Sequence, residues 1–184
     1  MHWIDPESLP ETRGIVTRFL LNPHGELDGI VLRSRRRQQV HFPPHLSKQV
    51  ARHVALGDEV RVRGVKPRGA DMIAAVAIVA KSGKVILDEG PKHDGEKPRR
   101  PHTERRAMEA SGEVLLSLFG PKGELRGALL DNGTSLRMPP HAAAELVTYL
   151  TPGAHVQAWG HGTRNRHGCA IEVDEIAELV DVSS

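Results

Sequence analysis

Short runs of apolar residues, broken by Gly, Pro and Asn, predict a chain that is mainly β. Residues 13–21 form the first such run, which ends at the turn signal Asn-Pro-His-Gly at 22–25. Residues 26–33 predict a second strand, and after a turn at 34–37, residues 38–42 predict a third. The chain is therefore expected to begin with three consecutive strands.

A short helix is predicted after the third strand. Pro43 and Pro44 cannot donate hydrogen bonds to a sheet, so the strand ends there, and proline suits the first turn of a helix. Apolar residues then recur at a spacing of four, at Leu46, Val50 and Val54. This spacing gives the predicted helix one apolar face.

Two further strands follow the helix. In the alternating run 57–64, Val60 and Val62 are predicted to face inward. The loop 65–70 leads to an apolar run at 72–80, which predicts the fifth strand. The predicted order is strand, strand, strand, helix, strand, strand.

The same pattern returns in the second half of the chain. Aligning Gly14 with Gly112 pairs residues 14–32 with 112–130, and nine of these nineteen positions are identical. The repeat predicts a second unit with the same elements, including a loop at 161–168 before its last strand. The predicted parts are a barrel at 12–80, a flexible charged linker at 81–108 and a barrel at 109–184.

The two copies differ strongly in charge. Residues 12–80 carry twelve basic and five acidic residues, a net charge of +7, whereas residues 109–184 carry five basic and ten acidic residues, a net charge of −5. This asymmetry indicates a polyanionic partner for the first copy alone.

The predicted order of elements resembles the OB-fold, a five-stranded Greek-key barrel. Gly29 and Gly127 lie inside the second strand of each copy, where a bulge or barrel corner is expected. The resemblance implies two tandem five-stranded OB-like barrels, each with a short helix between strands 3 and 4. It further implies a binding surface on strands 2 and 3, flanked by the loops between strands 1 and 2 and between strands 4 and 5.

Basic residues are concentrated at these positions in the first copy. With this feature, the chain resembles bacterial nucleic-acid-binding proteins that have an OB-fold. Arginine suits phosphate because its planar fork donates two parallel hydrogen bonds. The candidate nucleic-acid-binding residues are Arg33, Arg35, Arg36, Arg37, His41, Phe42, Arg61, Arg63, Lys66 and Arg68.

The expected function is therefore non-catalytic binding of single-stranded DNA or RNA with low sequence specificity. Few aromatic residues are available for stacking, with Phe19 and Phe42 the only two in the first copy. The alternative is a protein-interaction or assembly module, in which the acidic second copy binds a protein partner or another copy of the chain. Trp159 is predicted to point outward from a strand there, and packing is favoured over ligand stacking as its role.

No catalytic, metal or cofactor site is predicted. The spacing His41-x-x-x-His45, with His24 nearby, suggests a metal site, but Pro43 and Pro44 interrupt the helix that would bring the two histidines together. The single cysteine, Cys169, is expected to be a buried core residue in a cytoplasmic protein. No membrane-spanning run is present, and no membrane partner is expected.

Overall fold

The computed structural model describes residues 9–88 and 106–179, which form two compact units, each built around one β-barrel. The sheet of barrel one contains six strands, five of which close the barrel, and barrel two contains five strands. The strands of barrel one are β1 (Glu11–Leu21), β2 (Leu27–Arg33), β3 (Arg37–His41), β4 (Glu59–Val65), β5 (Met72–Val79) and β6 (Val85–Leu87).

Barrel one closes because β3 pairs with β5. The sheet has the order β3-β2-β1-β4-β5-β6, and the parallel pairing of β3 with β5 joins its two sides. All other strand pairs for which the register is known are antiparallel. This arrangement is the five-stranded OB-like barrel that the sequence predicts, with β6 added beside β5.

The helix between β3 and β4 is confirmed. Pro44 begins a 3-10 turn (Pro44–Leu46), and helix α1 (Ser47–His53) follows directly. Leu46, Val50 and Val54 are all buried, as the spacing of four requires. The proline pair therefore ends β3 and starts the helical segment.

Strand β6 lies within the segment that was predicted to be a linker. Its residues pair with the end of β5, from Ala77 opposite Leu87 to Val79 opposite Val85. Ile86 is fully buried, so β6 contributes to the core of barrel one. Residues 106–108 at the end of the predicted linker belong to the first strand of barrel two, and residues 89–105 lie outside the described residues.

Barrel two repeats the architecture with longer strands. Its strands close in the order β10-β11-β9-β8-β7, again with one parallel pair, β9 with β11. A short helix, α2 (Pro140–Glu145), and a 3-10 turn (Val147–Tyr149) lie between β9 and β10. The strands are β7 (Arg106–Phe119), β8 (Leu125–Leu130), β9 (Thr134–Arg137), β10 (His155–Asn165) and β11 (Gly168–Glu178).

Alternating residues of its strands form the core of barrel two. One loop that was predicted in this barrel is mostly strand in the structure. Val156, Ala158 and Cys169 are buried, and the burial of Cys169 confirms the sequence-based prediction. Most of the loop predicted at 161–168 is instead strand, because β10 continues to Asn165 and pairs with β11 from Val156 to Asn165. Only residues 166 and 167 form the turn.

Glycines mark the bends of both barrels. The pairing of β8 with β7 shifts beside Gly127, which confirms the expected irregularity in barrel two. Two further shifts occur, one at Gly64 in β4 and one at Gly160 in β10. At both positions a Cβ atom would overlap a carbonyl oxygen of the neighbouring strand, that of Ala74 or of Glu172. Glycine is therefore required at these bulges.

Candidate nucleic-acid interface

The β2–β3 turn presents a cluster of exposed arginines. Arg33 and Arg37 lie directly opposite each other at the end of the hairpin, and Arg35 and Arg36 form the turn between them. All four are exposed. Within residues 9–88 and 106–179, no carboxylate pairs with Arg33, Arg35 or Arg37. These three guanidinium groups are available to an anionic ligand.

An ion pair connects this turn to the loop between β4 and β5. Nη2 of Arg36 lies 2.9 Å from Oδ1 of Asp71. The same carboxylate oxygen accepts a hydrogen bond of 3.5 Å from Nε2 of Gln38. Lys66 and Arg68 are exposed on that loop. The turn and the loop, which both carry candidate nucleic-acid-binding residues, therefore lie at the same end of the barrel. Asp71 neutralises part of the charge of Arg36.

A second group of charges lies on the outer side of β1 and β4. Arg13 lies opposite Arg61 in the β1–β4 pairing, and Glu11 lies opposite Arg63. Nη1 of Arg61 is 3.6 Å from Oε1 of Glu11. Arg61 is exposed, whereas Arg63 is half-buried. The contribution of Arg13 was missed by sequence reasoning, because only the register of the two strands brings it beside Arg61.

These residues define an arginine row that crosses four adjacent strands: Arg61 on β4, Arg13 on β1, Arg33 on β2 and Arg37 on β3. Arg61 and Arg13 are cross-strand partners, as are Arg33 and Arg37. Strands β1 and β2 are neighbours in the sheet, and the backbone of Arg33 lies close to Gly14, the residue after Arg13, whose Cβ position is 3.1 Å from the carbonyl oxygen of Arg33. Since neighbouring strands are about 4.8 Å apart, the four strands that carry these arginines span about 14 Å from the first strand to the last.

The middle of the surface that the OB resemblance implies is not exposed. Residues 27–32, which make up nearly all of β2, are buried on both faces of the strand. Gln38, Gln39 and Val40 of β3 are buried as well. The accessible basic surface therefore lies at the ends of strands 2 and 3 and on β1 and β4.

Phe42 was predicted to contact nucleic acid, and the structure contradicts this role. Its side chain is 0% exposed, because it continues the inward alternation that begins at Val40. Its backbone N–H donates to the carbonyl of Asp28. His41 is half-buried. Phe42 is therefore a core residue and offers no surface for a base to stack on.

Barrel two lacks the arginines of barrel one. The β8–β9 turn contains Asp131 and Asn132, and the Asn132 side chain is used locally, accepting from the N–H of Thr134 and donating to the carbonyl of Ser111. Gln157 and Trp159 occupy the positions that correspond to Arg61 and Arg63. The exposed arginine cluster of barrel one therefore has no counterpart at these positions of barrel two.

Two arginines remain at the tip of barrel two, and one of them, Arg166, affects a histidine. Arg164 is exposed near the end of β10, and Arg166 is exposed in the turn before β11. Burial, and secondly the positive charge of Arg166, lower the pKa of His167 from its usual value of 6.5. His167 is therefore held neutral to lower pH than an ordinary histidine.

The histidines that suggested a metal site have other roles or positions. Nε2 of His45 lies 3.0 Å from Oδ1 of Asp88, which ties the start of the helical segment to the residue after β6. His24 is exposed in the β1–β2 loop. Among residues 9–88 and 106–179, no group of three potential ligands is placed to hold a metal ion. The same part of the chain contains no helix long and apolar enough to span a membrane.

Among known proteins, the chain is similar to solved structures at low sequence identity. No protein-family model and no curated protein matches the chain. Among solved structures, the wild-type single-stranded DNA binding protein from Thermus aquaticus matches with 13% identity and a TM-score of 0.28, covering 92% of this chain and 91% of that one. Its deletion mutant delta 228-252 R190A matches with 13% identity and a TM-score of 0.28, covering 93% of each chain. At this TM-score the likeness supports no inference about function. The strand order shows by itself that the chain contains two OB-like barrels in tandem.

Proposed function

We propose that barrel one binds single-stranded DNA or RNA, with low sequence specificity, through the arginine row and the neighbouring turn and loop. The observation that carries this proposal is the placement of Arg13, Arg33 and Arg37, three exposed guanidinium groups on adjacent strands that have no ion-pair partner among the described residues. Phosphates that contact such groups release counterions, and this release favours binding.

The mode of binding follows from the residues that surround the row. Arginine donates two parallel hydrogen bonds to a phosphate, so the row suits the backbone of a nucleic acid. The two aromatic residues of barrel one within residues 9–88 are not exposed, since Phe42 is buried and Phe19 is half-buried. Stacking of bases on aromatic rings therefore contributes little, and we expect salt-sensitive binding without strong base preference.

We assign no catalytic residue, cofactor or metal to this function. Binding of a flexible polyanion needs only charge, geometry and an accessible surface. Phe42 is not part of the proposed interface, and half-buried His41 lies at its edge. The proposed interface residues are Arg13, Arg33, Arg35, Arg36, Arg37, Arg61, Arg63, Lys66 and Arg68.

The test is binding of a short fluorescein-labelled oligothymidine strand, and of its oligouridine counterpart, measured by fluorescence anisotropy at low salt. We expect the R33A/R35A/R37A variant to bind at least about tenfold more weakly than the wild-type chain, because three phosphate contacts are lost. All three side chains are exposed, so the substitutions leave the core unchanged.

A matched control separates the site from the total charge. The R52A/R126A/R164A variant also removes three exposed arginines, from α1, β8 and β10. We expect it to bind nearly as well as the wild type. Equal weakening in both variants would show that only net charge matters, and no weakening in R33A/R35A/R37A would remove the proposed site.

A further inference from the structure

Barrel two has one exposed large aromatic side chain, and it lies between carboxylates. Trp159 points outward from β10 and is 37% exposed. Glu109 on β7 and Glu175 on β11 lie directly opposite it on the two neighbouring strands. Side chains that face each other across strands have Cβ atoms about 5 Å apart. We call these three residues the Trp159 face.

The remaining polar groups near the Trp159 face are partly occupied. Nε2 of Gln157 donates to Oε2 of Glu109 at 3.5 Å. Nδ1 of His161 lies 3.1 Å from Oδ2 of Asp174. Nε2 of His155 is 3.4 Å from Oε1 of Glu113. Within the described ranges no cation pairs with Glu175. The face therefore keeps an excess of negative charge beside the indole ring.

Barrel one shows which group a carboxylate at the position of Glu109 can pair with. Glu11 is the counterpart of Glu109, and in barrel one its carboxylate lies 3.6 Å from the guanidinium of Arg61. Arg61 and Arg63 correspond to Gln157 and Trp159 in barrel two. The duplicated position has thus kept the carboxylate but lost the two arginines near it. It has gained a second carboxylate, because Glu175 occupies the place of Ala77.

From this we infer that the Trp159 face binds an arginine side chain from an extended, arginine-containing segment of another protein. The guanidinium lies over the indole ring and pairs with Glu109 and Glu175. The partner's arginine thus takes the place of the arginines that barrel one carries on its own strand β4. Cations bind favourably to the face of tryptophan, and arginine does so most often among protein side chains. The acidic character of barrel two, with a net charge of −5 over residues 109–184, attracts a basic partner of this kind.

The site is separate from the proposed nucleic-acid interface, so each can fail alone. The probe is a peptide of three Gly-Arg-Ser repeats, and the reporter is the fluorescence of Trp159 in a W3F background, since Trp3 is the other tryptophan in the sequence. A peptide with glutamine in place of arginine serves as the ligand control. Anisotropy of the labelled peptide gives an independent measure of affinity.

We expect saturable binding of the arginine peptide that is weakened about tenfold or more in E109Q/E175Q, because both charged partners of the guanidinium are removed. The E145Q variant, which neutralises an exposed carboxylate on α2, should bind as the wild type does. R33A/R35A/R37A should retain peptide binding, and E109Q/E175Q should retain oligonucleotide binding.

Three results would overturn the inference. The first is no binding of the arginine peptide to the wild type, and the second is equal affinity for the wild type and E109Q/E175Q. The third is self-association of the wild type, seen by light scattering, that is lost in E109Q/E175Q while the peptide does not bind. That result would show that the Trp159 face binds a second copy of this chain.

Discussion

At the scale of single residues, the bends of the two barrels depend on glycines at which a side chain would meet the backbone of the neighbouring strand. Gly64 and Gly160 occupy equivalent positions in β4 and β10, and both lie where the register of the strand shifts. The repeat shows that both glycines are kept, but their role follows only from the close approach of β5 and β11. A sequence shows which position recurs, not which backbone passes beside it.

The substitution G64A tests this packing. A Cβ atom at this position would overlap the carbonyl oxygen of Ala74, so strand β4 or β5 must move, and we expect a loss of about 3 kcal/mol in the free energy of unfolding. Urea unfolding followed by circular dichroism measures it.

G57A is the control for backbone strain alone. Gly57 has a φ of +89° and no atom within 4 Å of its Cβ position, so alanine should cost about 1 kcal/mol. If G64A were no more costly than G57A, close packing at the bulge would not be the reason for the glycine.

His167 provides a second prediction at this scale. Burial and then Arg166 lower its pKa, so an NMR titration should give a value below 6.5. Because the unfolded chain binds the proton more tightly, the contribution of His167 to stability is complete above pH 6.5 and falls as the pH drops towards the folded pKa. R166A should raise the pKa only partly, since burial is the larger cause. A pKa at or above 6.5 in the wild type would contradict this description.

At the scale of elements, the order of strands and helices could be predicted, because apolar alternation and the repeat carry that information. The sequence did not reveal β6 or the full length of β10. Strand β6 has three residues, too few for a period of two to be recognised, and it follows a turn containing Lys81 and Lys84. The extension of β10 contains Gly162 and polar residues typical of a loop, and only its pairing with β11 makes it a strand.

The contribution of β6 to barrel one can be measured by substitution. Ile86 is fully buried, so I86A should lower the free energy of unfolding by about 2 to 4 kcal/mol. Val85 on the same strand is 48% exposed, so V85A should cost less than about 1 kcal/mol. Equal, small effects in both variants would mean that β6 is not part of the core.

At the scale of the whole molecule, the duplicated barrels differ in charge, and the described surfaces of each reflect that difference. The arginines of the β2–β3 turn could be predicted, because a polar run between two strands is exposed whatever the register. Arg13 could not, since its position beside Arg61 depends on pairing between strands far apart in sequence. Phe42 could have been excluded, because it continues the inward alternation from Val40.

The central claim is that Arg33, Arg35 and Arg37 contact phosphates, and the salt dependence of binding tests it most directly. The logarithm of the binding constant for a single strand falls with the logarithm of salt concentration by about 0.7 for each neutralised phosphate. The slopes of the wild type and R33A/R35A/R37A should therefore differ by about 2, which is the contribution of three contacts. Parallel slopes for the two proteins would contradict the account, because they would show that these arginines contact no phosphate.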